Sequence, residues 1–331
     1  MKKELRFKKD KPFRIFLMSD LHGGKGVSDQ LPEAIEAVMA EYEPDLVLLG
    51  GDTAGCGPVH VETEQDLREY LDIITEPMNK RNIPWAHVFG NHDDNYGLSR
   101  EKQQEIYESY PLCLSEAGPE EISGVGNYCL PVFASDSDKI KFAVWGFDSH
   151  DNLRGFRREY GLPEDMKIVL HNHLHDGTDY DGVHFDQTAW YYFESMRLEK
   201  ENGEKIPGMM YMHIAIPEFY LVSQNYHDCK CYGSKCENVA SGEINFGLFA
   251  ACLQRGDIKA IFAGHDHIND FHGTYCGIKF AYDGGLTYDG YQRDWIRGGR
   301  LIEINENDNW NFTSDMVYIS DIMGEKGNKR K

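Results

Sequence analysis

The chain has 331 residues, 41% of them hydrophobic, and 34 Lys and Arg against 55 Asp and Glu give a formal net charge of -21. Such an excess of negative charge argues against a nucleic-acid partner, because little is left to release counterions from a phosphate backbone. No run approaches the roughly 20 apolar residues of a membrane span, so no membrane partner is expected either.

Residues 1–10 are charged and lack the apolar core of a secretory leader, so a cytoplasmic location is expected. An anionic substrate would need a local positive field against the global repulsion, and metal ions are one source of it. Eight scattered cysteines do not form a disulfide framework. Only Cys229, Cys231 and Cys236 cluster, and a zinc there would need His227 as its fourth ligand. A redox-sensitive or simply solvated loop is the preferred reading.

In chain order, Phe13 to Met18 is an apolar run ending in Ser19-Asp20-Leu21-His22. Leu31 to Tyr42 has helical spacing, and Asp45 to Leu49 is a second apolar run ending in Gly50-Gly51-Asp52. A helix fits Glu62 to Asn82, with Pro77 expected to end or kink it. The strand Ile83 to Phe89 then runs into Gly90-Asn91-His92-Asp93-Asp94. This alternation predicts a parallel sheet with helices on its faces.

The second half predicts strands at 140–147, 209–216, 258–263, 277–282 and 300–305, with helices at 187–200 and 246–254. No internal repeat or low-complexity linker divides the chain. A single domain over residues 1–331 is expected, with an insertion at about 149–186 rich in His, Asp and Gly.

Metal-ligand residue types recur at these strand ends: Asp20 and His22, Asp52, Asn91 and His92, then His265 and His267. His213 lies within a predicted strand. In open α/β sheets, sites form beyond the carboxyl ends of strands, so distant residues meet on one rim. Singly, Asp20 and Asp52 could instead be turn or cap residues, the less favoured reading, while His213 alone reads as a core histidine. Jointly and in order, chance is a poor explanation.

Asp20-x-His22, Gly51-Asp52, Gly90-Asn91-His92-Asp93, a strand histidine and Gly264-His265-Asp266-His267 resemble the five motifs of the calcineurin-like metallophosphoesterase superfamily. Residues 245–251, 256–271 and the Gly/Tyr-rich tract ending at Arg293 are similar to its purple acid phosphatase-like branch, which has plant and fungal members. The resemblance implies a four-layer α/β/β/α sandwich of two mixed β-sheets with a two-metal site on one edge. By motif position, Asp20, His22 and His267 would hold the first metal, Asn91, His213 and His265 the second, and Asp52 would bridge them.

Imidazole and carboxylate ligands without thiolate suit Mn, Fe or Zn. A bridging carboxylate suits cations about 3.5–4 Å apart. The purple centre's tyrosine is missing, since Gly55 stands in its place. The Asp of the protein Ser/Thr phosphatases is missing at the same position.

The alternating His171, His173 and His175 are rivals for the second metal. They are read instead as a pocket wall or a solvated insertion, because His213 stands where the family's strand histidine would.

The implied reaction is hydrolysis of a phosphate ester, with a metal-bridging hydroxide attacking in line and His92 protonating the leaving oxygen. Asp93 or Asp94 would orient His92 or cap the loop. Arg293, Arg154 and Arg157 are candidates for distal substrate oxygens, against a solvated role for each. The substrate would be a phosphorylated small molecule or phosphoprotein. A phosphomonoesterase is favoured, a phosphodiesterase or nucleotidase is the alternative, and a non-catalytic regulatory protein stapled by metal is the reading from another class.

Overall fold

Alternation of side chains along the strands decides the layering. The computed structural model describes residues 2–55, 61–93, 97–166 and 179–330. His171, His173, His175 and Asp94 lie outside the described residues.

The elements begin with β1 (Leu5–Arg6), β2 (Phe13–Met18), α1 (Gln30–Tyr42), β3 (Leu46–Leu49), α2 (Glu64–Arg81), β4 (Trp85–His87) and α3 (Arg100–Glu108). They continue through β5 (Tyr128–Phe133), β6 (Ile140–Gly146), α4 (Leu153–Glu159), α5 (Phe185–Asn202), β7 (Gly208–Met212) and α6 (Glu218–Ser223). The last are α7 (Leu248–Arg255), β8 (Ile258–Ala263), β9 (His272–Tyr275), β10 (Ile278–Tyr282), β11 (Gly298–Ile304), β12 (Thr313–Tyr318) and α8 (Ile319–Met323).

The strands form a seven-stranded sheet, β1-β5-β6-β7-β8-β10-β9, and a five-stranded sheet, β12-β11-β2-β3-β4. Both are mixed: β2, β3 and β4 run parallel, as do β6, β7 and β8, whereas β11 pairs antiparallel to β2 and to β12.

Successive residues of a strand point to opposite faces. Phe13, Ile15 and Leu17 of β2 and Leu46 and Leu48 of β3 therefore meet Met209 and Tyr211 of β7 and Phe262 of β8 between the sheets. Phe16, Met18, Val47 and Leu49 face away, onto Leu31, Ile35 and Val38 of α1 and Leu67, Leu71 and Ile74 of α2. Met210, Met212 and Ile261 pack outward on Tyr191 of α5, Phe219 of α6 and Leu248 of α7. Three apolar layers thus separate helices, sheet, sheet and helices, the four-layer sandwich expected.

Several local expectations are corrected. α2 runs four residues past Pro77. The carbonyl that loses its partner there belongs to Ile73, an exposed residue where water can serve it. A capping box of Thr63 and Asp66 starts this helix. The strand expected over 209–216 stops at Met212, so His213 is the first residue beyond its carboxyl end. α3, β5 and β12 were not anticipated. Among the described residues, no helix is long and apolar enough to cross a membrane.

Candidate metal centre

The carboxyl ends of β2, β3 and β4 from one sheet and of β7 and β8 from the other share one edge of the sandwich. Backbone bonds stitch the loops there: Asp20 N–H donates to Gly51 O (3.0 Å) and His22 N–H to Asp52 O (2.9 Å). Across the seam between sheets, His265 N–H donates to Asp20 Oδ2 (3.0 Å). Gly90 is required by close approach, since a Cβ there would sit 2.2 Å from Asp52 Oδ1. Asp20, His22, Asp52 and His265 all adopt positive φ, at 53°, 46°, 47° and 72°. Such strained backbone in non-glycine residues persists where surrounding structure over-determines it, often at functional sites.

Two groups of buried donor atoms result, Asp20–His22–His267 and Asp52–His213–His265, each with its atoms within 4.8 Å of one another. In the first, His22 Nε2 and His267 Nε2 converge to 3.0 Å, and Asp20 Oδ1 is 3.2 Å from His267 Nε2. In the second, Asp52 Oδ2 is 3.2 Å from His213 Nε2, and Asn91 Oδ1 is also 3.2 Å from that nitrogen. Asp52 Oδ2 lies 3.7 Å from His22 Nε2, so one carboxylate faces both groups.

The far sides of two rings are tied to carbonyls. His213 Nδ1 donates to Gly50 O and His267 Nδ1 to Tyr291 O, both at 2.7 Å. A proton held on Nδ1 leaves the Nε2 lone pair turned inward, the arrangement a metal-ligating histidine needs. Asp20 Oδ1, His265 Nε2 and His22 Nδ1 are buried without hydrogen-bond partners. Buried polar atoms are seldom left so, and a cation in each group would satisfy Asp20 Oδ1 and His265 Nε2. The donors are nitrogen and oxygen only, which fits a divalent transition metal such as Mn, Fe or Zn.

Electrostatics point the same way. Burial alone would raise Asp20 and Asp52, but facing histidines outweigh it and hold both carboxyls below the usual range, His267 and His213 for Asp20 and His213 for Asp52. Burial opposes a charge on His213, yet Asp52 and Asp20 raise it to about 10. The negative field that does so is the field a cation would feel. Burial depresses His22 to about 4 and His265 to about 3, so both are neutral bases at pH 7.

Asp93 caps the loop: its carboxylate accepts from the N–H groups of Asp52, Ala54 and Gly90. Burial, then the charge of Asp52, pushes it up to about 7. His92 is half-buried, its N–H bonded to Asp52 Oδ1 (2.8 Å) and its ring 5.7 Å from that of His22.

The three candidate substrate arginines lie in different settings. Arg157 is buried and ion-paired with Asp179. Arg154 lines a separate cavity of about 1040 Å³, and Arg293 is exposed in the loop before β11. Sequence reasoning missed the aromatic walls: Tyr291 stacks on His267 at 4.0 Å and Tyr180 packs edge-on against His265 at 4.5 Å. It also missed a third group of donors, His150, Asp181 and His184. The signal for it was a histidine two residues past Asp148, after the strand at 140–147. Cys229, Cys231 and Cys236 are free thiols and enter none of the three groups found among the described residues.

A two-sheet sandwich with paired nitrogen-oxygen donor clusters at its edge defines a metal-dependent phosphoesterase architecture, and comparison with known proteins agrees. The profile of the Calcineurin-like phosphoesterase family matches residues 13–269, and the chain belongs to that family of phosphate-ester hydrolases. It is similar to "Probable inactive purple acid phosphatase 14" of Arabidopsis thaliana, with 28% identity over 341 residues, covering 91% of this chain and 77% of the relative. "Phosphatase DCR2" of Saccharomyces cerevisiae is 26% identical over 90% of this chain, which spans 52% of that longer protein. In fold, the chain is similar to a dimetal phosphatase from Danio rerio, with a TM-score of 0.53 at 14% identity, covering 93% of this chain and 94% of the other.

Proposed function

We propose that the chain is a phosphomonoesterase working at a dinuclear centre, with Asp20, His22 and His267 holding one metal ion, Asn91, His213 and His265 the other, and Asp52 bridging. The observation that carries this reading is the position of Asp52 Oδ2, 3.2 Å from a nitrogen of one donor group and 3.7 Å from a nitrogen of the other. When bound, two such cations neutralise phosphoryl oxygens and lower the pKa of water. Asp20 and Asp52, kept ionised, balance their charge. The carbonyls of Gly50 and Tyr291 keep His213 and His267 aimed inward.

His92 gives a proton to the departing alkoxide. Its N–H bond to Asp52 keeps the ring beside the bridging carboxylate, where an imidazole can pass a proton to a leaving oxygen. The substrate, a phosphorylated small molecule or phosphoprotein, enters between the edge-on Tyr180 and the stacked Tyr291.

A second reading, a metal-stapled protein without turnover, is favoured by the word "inactive" in the names of three Arabidopsis thaliana relatives. Against it stand His92 and the complete donor set. Loading the purified protein with Mn, Fe or Zn, counting bound metal and assaying mono- and diesters separates the two. The expected result is about two ions in this cluster and faster cleavage of monoesters than of diesters. Full loading without turnover of any ester would leave the staple.

A further inference from the structure

The row of functional strand ends does not stop at β7. Its neighbour β6 is parallel to it, and the loop beyond β6 carries Asp148 and His150. The two limbs of the following segment zip together, Leu153 N–H to Asp179 O (2.9 Å) and Asp181 N–H to Asp151 O (3.1 Å). This brings His150 against Asp181 and His184, just ahead of α5. One nitrogen from each ring and one Asp181 oxygen lie within 4.8 Å of one another. Asp181 and His184 are buried and His150 is half-buried.

We propose that His150, Asp181 and His184 form a third metal site, separate from the dinuclear cluster, which takes a single divalent transition-metal ion of the zinc type. Three arguments support it. Two imidazoles and a carboxylate are a standard donor set for zinc with a position left open. One donor atom from each ring and one from the carboxylate converge from three separate positions in the chain, more than a capping pair requires. The third argument concerns His184 itself. Its Nε2 lies 2.9 Å from Asp181 Oδ1 and, facing an acceptor-only carboxylate, must be the protonated nitrogen. Its Nδ1 is then a buried lone pair without a hydrogen-bond partner, and the side chain is only 4% exposed. A cation taken at Nδ1 supplies the missing partner while Nε2 keeps its bond to Asp181.

Gln187 supports the arrangement from behind. Its amide nitrogen donates to Asn127 Oδ1 and Asp148 O, both at 2.7 Å, which turns Oε1 toward His150 Nε2 at 3.3 Å. The group opens on the cavity of about 1040 Å³ that Arg154 and Arg158 also line, so an exchangeable ligand can complete the coordination. Tyr180, beside Asp181, touches the ring of His265, and Ser149, beside His150, accepts from Ile214 N–H. The third site is therefore a direct neighbour of the main cluster without sharing a donor with it.

The test is zinc stoichiometry of the metal-stripped full chain, titrated with zinc alone and followed by metal analysis after dialysis. His184→Gln can still donate to Asp181, and His150→Asn is a second, independent variant; circular dichroism checks that both fold. Wild type should retain one equivalent of zinc more than either variant, whatever number the main cluster holds. A crystal soaked in zinc should show anomalous density at His150 and His184. Equal zinc content in all three proteins would overturn the site, as would loss of every equivalent in both variants, which would make it part of the main cluster.

Discussion

His213 and His87 are both fully out of water, and they end in opposite states. His213 faces Asp52 and Asp20, which overcome burial and raise it to about 10. His87, at the end of β4, stacks on Tyr107 at 3.7 Å and shares a bond with Ser115 Oγ at 2.8 Å. Burial outweighs the raising pull of the Asp148 carboxylate and lowers it to about 3, and its Nε2 has no hydrogen-bond partner. Burial therefore does not separate a ligand from a core histidine; the facing carboxylate does. The two sites are only a few residues from strand ends, yet charge is concentrated where loops from both sheets can converge.

The comparison breaks most severely at Asp52→Ala. Without that carboxylate, His213 should fall toward the neutral state of His87, and most of the metal in both groups should be lost with the activity. Metal analysis and an NMR titration of the His213 ring check this. Unchanged metal content would end the bridging assignment.

Next is His92→Asn, which should keep both metals. An alkyl phosphate, whose leaving group needs its proton, should slow by about 10²–10⁴-fold, and a nitrophenyl phosphate far less. Equal losses on both esters at full metal content would show that His92 is no proton donor.

A smaller effect is expected at Gly90→Ala. The new methyl would strike Asp52 Oδ1 and N, at 2.2 and 2.3 Å, costing about 1–3 kcal/mol of stability. Urea unfolding measures it, and a neutral result would show that the two loops can part.

A pH-dependent effect sharpens the His87 half. Because its folded pKa is below its unfolded value, the stability it allows is full above about pH 6.5 and drains away as pH falls toward about 3. The wild type should lose up to about 1.4 kcal/mol per pH unit in that window relative to His87→Phe, which keeps a ring against Tyr107. A difference that does not change with pH would mean that His87 is already charged when folded.

Much of this was legible in the sequence because apolar runs end abruptly in ligand residue types. β2 and β8 match their expected bounds, and Asp20, His22, Asp52, Asn91, His265 and His267 stand beyond strand ends as read. What was not legible has physical causes. α3 buries Gln103 and Gln104 beside only Ile106 and Tyr107, so its apolar period was too weak to see. β5 alternates cleanly, but Pro131 sits in it, and proline normally demotes a strand. His213 read as part of a strand because the apolar residues after it continue the pattern, although the backbone has already left the sheet. His150 and His184 are 34 residues apart in number and meet only when the insertion folds on itself, a contact that no local spacing encodes.

Each donor group at the rim mixes the sheets: Asp20 and His22 with His267, Asp52 with His213 and His265. His22 and His267 are separated by 245 positions in the chain. Closing so long a loop is slow and comes late in folding. No hairpin or isolated sheet could hold either group whole, so the nascent chain has no complete site until the two sheets dock. A bound ion would also fasten one sheet to the other, stabilising their docking by about 4 kcal/mol at a thousandfold excess over its dissociation constant. Stripping the metal should then loosen the seam first, with amide exchange rising at the ends of β2 and β8 before it rises at their middles.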